Sequence, residues 1–66
     1  MGYRIKEVRE EKNMTQEELS NRSGVSRATI SALENGSTRA TTTKTLANIA
    51  RALGVTIESL FFIESV

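Results

Sequence analysis

With 66 residues, the chain has room for one domain, near the lower limit for folding without disulfides or metals. It contains no cysteine, histidine or aspartate, which excludes disulfides, thiolate metal sites and a histidine-based triad. Nothing present would activate its serines and threonines as nucleophiles, so neither enzymatic activity nor a metal or cofactor is expected. Net charge is only +1, yet Arg22, Arg27, Arg39, Lys44 and Arg51 cluster in mid-chain against one acid, Glu34, where they could face a polyanion or simply water.

The opening "MGYRIKEVREEKN" is amphipathic and mixed in charge, unlike a signal peptide. No apolar run approaches the ~20 residues that span a bilayer, so a soluble, cytoplasmic protein is expected. Its spacing predicts a first helix from Gly2 or Tyr3 to Lys12, with Ile5 and Val8 inward. In "MTQEEL", Thr15 and Glu18 form a capping box and Met14 and Leu19 a hydrophobic staple, which starts a second helix near Gln16–Ser23. Gly24 can end that helix in a left-handed conformation with Val25 packing back on it. Ser26 then caps a third helix, Arg27–Asn35, with Val25 and Ile30 as its staple, and Gly36 closes it. "GSTRATTT" is the one polar loop of any length. A fourth helix is expected to begin after its threonines and to end at Leu53, burying Leu46, Ile49, Ala50 and Leu53. Thr56, Val55 and Leu60 repeat the cap and staple for a fifth helix at about Ile57–Phe61. The fold class is therefore all-α, a five-helix domain over residues 1–61 followed by an apolar tail, 62–66.

Two short helices around "SGVS" form a helix-turn-helix, whose members cross at ~90–120°. This exposes the second helix's face and N-terminus, a shape that fits the ~12 Å major groove of B-DNA. The same corner can also be a folding device alone. On a helical wheel Ile30, Leu33 and the capping Ser26 point inward and Ala28, Ala32 and Asn35 outward, flanked by Arg27 and Ser31 on one side and Thr29 on the other. Arg27 is the candidate for direct readout, because its fork matches guanine O6 and N7; its other readings are a phosphate contact or a solvated charge. Ala28 and Ala32 offer only methyl contacts, which leaves room for shape readout.

The run "TQEELSNRSGVSRATISALENG", Thr15 to Gly36, resembles the helix-turn-helix of the phage repressor and Cro family, also called the Xre family. "TLANIARALGVTIESLF" is similar to that family's fourth and fifth helices, so the resemblance spans about Ile5 to Phe61, with its motifs in order and spacing. It implies sequence-specific binding of double-stranded DNA by a homodimer, on a palindromic operator, in transcriptional control and chiefly as a repressor. By position it implies base contacts at Arg27, Ala28, Ser31 and Ala32. Phosphate contacts are implied at Thr15, Gln16, Ser26, Asn35 and Arg39, and a structural salt bridge between Arg9 and Glu34. Two departures stand out: Ser20 replaces the family's usual alanine, and "RATTT" replaces a loop that contains proline in many relatives.

In the tail "LFFIESV", Leu60 and Phe61 would complete the fifth helix and core. Phe62, Ile63 and Val66 lie beyond, and such groups are costly to leave in water. They fold back as core or, with Leu60, form a dimer interface. An alternative function is a protein-interaction module, or an antitoxin-like protein that binds a partner through the same fold. That reading requires an apolar third-helix face that tolerates loss of Arg27 and Arg39.

Overall fold

Three polar caps and three left-handed glycines divide the chain into helices, and the computed structural model, which describes residues 3–37 and 41–60, places them close to those signals. The elements are α1 (Ile5–Glu11), α2 (Gln16–Ser23), α3 (Arg27–Asn35), α4 (Thr43–Leu53) and a 3₁₀ turn (Ile57–Leu60). There is no β-strand among the described residues.

Differences from the sequence expectations lie at element ends. α1 starts only at Ile5; the preceding Arg4 is its N-cap, and its N–H, which no helical carbonyl could take, is bonded at 2.6 Å to the carbonyl of Leu60. It stops at Glu11, after which Lys12 N–H returns to Val8 and Arg9, and Asn13 turns the chain at φ 55°. α4 starts within the threonines rather than after them. Thr42 is its cap, accepting from Thr45 N–H at 3.1 Å, and Thr43 is already helical. The expected fifth helix is a single 3₁₀ turn, so the described residues hold four α-helices. Thr56 accepts the Ser59 N–H at its hydroxyl and at its carbonyl, an i to i+3 bond that tightens so short a segment. Phe61, where that helix was expected to end, lies outside the described residues.

The inward residues converge on one core: Ile5 and Val8 of α1, Leu19 of α2, Val25 of the turn, Ile30 and Leu33 of α3, Ile49, Ala50 and Leu53 of α4, and Leu60. Tyr3, Met14, Val55 and Ile57 are partly buried against it. α2 packs on both α3 and α4, while α1 packs on α3. Leu60, expected both to complete the core and to take part in a dimer interface, is 0% exposed and packs in the core. The other residues of that expectation, Phe62, Ile63 and Val66, lie outside the described residues.

Candidate nucleic-acid interface

The corner between α2 and α3 is built from four consecutive residues and a serine one turn back. Gly24 takes φ +74°, a region that L side chains pay to enter, and its N–H closes α2 on the Ser20 carbonyl at 2.9 Å. Val25 drops into the core, its N–H bonded to Ser23 Oγ at 3.1 Å. Ser20 Oγ donates to the Val25 carbonyl at 2.7 Å, which ties the body of α2 to the far side of the turn. From the sequence alone Ser20 is only a departure from the family's usual alanine. The residue type carried a hint, since a helical serine can bond backbone, but its target became a neighbour only through the turn.

α3 begins at Ser26, whose Oγ accepts from the Thr29 N–H at 3.2 Å. Contrary to the helical wheel, Ser26 is exposed; a cap lies on the surface of the first turn even when the residues around it face inward. Its hydroxyl also donates to Thr29 Oγ1 at 2.8 Å, which makes Thr29 the hydroxyl whose proton remains to be given at this end. Arg27 and Ala28 are exposed in the first turn, Ser31 and Ala32 are half-buried, and Asn35 is exposed at the last. The helix therefore presents a shallow face with one cation at its leading end.

Behind that face, α3 is fixed to both preceding helices by Glu34, whose side chain is 4% exposed. Arg9 of α1 grips it with two N–H groups, Nε to Oε2 at 2.8 Å and Nη2 to Oε1 at 3.1 Å. Its Nη1 donates to the Met14 carbonyl at 2.7 Å. The Glu34 bond raises the Arg9 pKa above its ordinary value, with burial opposing and the Glu34 and Glu10 charges assisting. Gln16 of α2 completes the network, donating Nε2 to Glu34 Oε1 at 2.9 Å. Arg9 and Glu34 are thus paired, while Gln16, for which the resemblance implies a phosphate contact, already holds a protein partner. No buried side-chain nitrogen or oxygen among the described residues lacks a partner.

The remaining candidates divide. Thr15 is exposed and accepts the Glu18 N–H at 3.0 Å, while Glu18 accepts the Thr15 N–H, also at 3.0 Å, so the capping box is complete and the threonine's own hydroxyl proton is uncommitted. Asn35 Oδ1 accepts from Ser37 N–H at 2.8 Å, which leaves its amide hydrogens to face a partner. Arg39 lies outside the described residues. Thr15, Gln16 and Asn35 can offer donors on the flanks of the Arg27–Ala32 face, an arrangement able to grip a backbone of anions while α3 meets what lies between them. No group of histidine, cysteine or acidic residues that could hold a metal occurs among the described residues, and no helix there is long and apolar enough to cross a membrane.

Comparison with known proteins agrees with this geometry. A family model described as helix-turn-helix matches residues 5–60. A protein of Archaeoglobus fulgidus named as an uncharacterized HTH-type transcriptional regulator is 45% identical over 64 residues, covering 97% of this chain and 89% of the relative. No solved structure matches.

Proposed function

Since this chain belongs to the Xre-type helix-turn-helix family of DNA-binding transcription regulators, we propose that it is a homodimeric, sequence-specific, cytoplasmic repressor that binds a palindromic operator. The observation that carries the reading is the shape of α3: an exposed leading turn, Arg27–Ala28, on a helix locked from behind by Arg9, Gln16 and Glu34. A recognition helix must hold its register while side chains reach base edges, and a satisfied polar network spanning three helices supplies that rigidity.

In this reading, residues 27–35 lie in the major groove. Arg27 bonds a guanine edge; Ala28, Ser31 and Ala32 make the close contacts; Thr15, Gln16, Ser26, Asn35 and Arg39 bear on the phosphates. Ser26 contributes through its exposed cap position, with Thr29 supplying the free hydroxyl proton. The domain occupies residues 1–61, and the tail, 62–66, joins two protomers.

Selection of bound duplexes from a random pool tests the proposal. The expected product is a palindrome whose half-sites are one helical turn apart, ~34 Å. A pool that yields no enriched sequence, together with capture of a protein partner that survives loss of Arg27 and Arg39, would replace it with the protein-interaction alternative.

A further inference from the structure

Where α1, the start of α2 and the C-terminal half of α3 meet, an open cleft of about 270 Å³ is lined by Lys6, Arg9, Gln16, Ser31, Glu34 and Asn35. Its charged walls do not act alike. Arg9 and Glu34 are committed to each other, so their charges cancel locally. Gln16 gives one amide hydrogen to Glu34 and retains a second, and Asn35 spends its oxygen on Ser37 and retains its amide hydrogens. Ser31 adds a hydroxyl. Lys6 is exposed and forms no ion pair among the described residues, while the adjacent Glu7 is taken by Arg4. Glu10, one turn further along α1, is absent from the cleft and lines a neighbouring hollow with Tyr3, Arg4, Glu7 and Lys6 itself, so Lys6 stands between the two and is held in neither by an ion pair. The cleft therefore offers several neutral donors and one cation outside any ion pair of the described residues, which complements a single anion rich in acceptor oxygens.

We propose that Lys6 is a DNA-backbone contact, the cationic wall of a seat for one phosphate whose other donors are Gln16 and Asn35. The proposal rests on the DNA-binding reading above and adds a charge from α1, outside the helix-turn-helix. Ser31 and Asn35 are one turn apart on α3, so a phosphate in the cleft lies on the flank of the face that carries Arg27 and Ala28. Lysine suits the role because a compact ammonium on a flexible stem meets a phosphate without demanding one geometry. Glu34 acts here as a positioning residue, since its bond to Gln16 turns that amide to donate rather than accept.

The test measures binding to a short mixed-sequence duplex as salt is raised, for the full chain and for Lys6→Gln, Lys6→Arg and Lys12→Gln. Each charged phosphate contact contributes a slope of about −0.9 in log K against log salt, so between roughly 50 and 200 mM salt the parent should lose about 3.5-fold more affinity per bound chain than Lys6→Gln. Lys6→Arg should keep the parent slope. Lys12→Gln, at the C-cap of the same helix and outside the cleft lining, should keep it too. Equal slope losses at Lys6 and Lys12 would mean a diffuse field and overturn the seat, as would an unchanged slope in Lys6→Gln. A parent chain that binds no duplex even at the lowest salt would overturn the DNA-binding reading itself, an outcome distinct from both.

Discussion

Glu34 is the residue on which three helices depend, and its value lies in being fully bonded rather than in its charge alone. A carboxylate only 4% exposed would be costly if unpaired, and it is not: one arginine and one glutamine occupy its oxygens. Glu34→Ala should therefore leave the Arg9 cation, itself 11% exposed, without its partner and cost about 3 kcal/mol in urea unfolding. Adding Arg9→Ala to that variant should cost much less than Arg9→Ala alone, because the pair acts as a unit. The Arg9 pKa is raised, so its stabilising share is complete below the unfolded arginine value and is lost only as pH rises through the still higher folded one. Arg9 should consequently add no pH dependence to stability across the physiological range. Arg27 belongs to the opposite category: exposed and available, it should matter to binding and not to folding. Arg27→Ala should cost ~1–3 kcal/mol on the preferred operator and much less on sites altered at the base pair it reads. Equal weakening on every site, measured by titration of single-base variants, would reassign it to a phosphate.

At the scale of elements, the corner between α2 and α3 is where local sequence and tertiary geometry meet. A Cβ added at Gly24 would touch nothing within 4 Å, so the cost of Gly24→Ala is conformational and not steric. It should come to about 1–2 kcal/mol, the penalty for a left-handed L residue. Gly24→Asn should cost less, since asparagine tolerates that region. Ser20→Ala, which removes the donor to the Val25 carbonyl, should cost about 1 kcal/mol in urea unfolding, although alanine is the family's usual residue there. The limits of α2 and α3 were legible in the sequence because caps and glycines act within a few residues: Thr15, Ser26 and Gly24 each do what their neighbours imply. Ends decided by distant contacts were not. α1 starts only after Arg4, whose N–H meets the Leu60 carbonyl, and Ile57–Leu60 forms a 3₁₀ turn. The same holds at the site. Arg9 and Glu34 could be paired by resemblance, and Ala28 and Asn35 placed outward by periodicity, though Ala32 of the same set is half-buried; Gln16 meeting Glu34 requires knowing how α2 lies against α3.

For the molecule as a whole, the question is whether two copies share a core or merely touch. One copy closes its own: Leu60 at the end of the 3₁₀ turn is fully buried, and Arg4 N–H bonds its carbonyl, so the two ends of the described domain are joined within one molecule. A protomer so closed should fold by itself, and a dimer should then depend on apolar groups outside that core, for which Phe62 and Ile63 are the sequence's candidates. Replacing both, as Phe62→Ser with Ile63→Ser, should give a chain that keeps its helical circular dichroism and sediments as a monomer. Its operator binding should become non-cooperative and weaker, because each half-site is then held alone without the linked second contact. Loss of folding together with loss of the dimer would show instead that the tail belongs to the core. A parent chain that remains monomeric at high concentration would remove the dimer, and with it the expectation of a palindrome with half-sites ~34 Å apart.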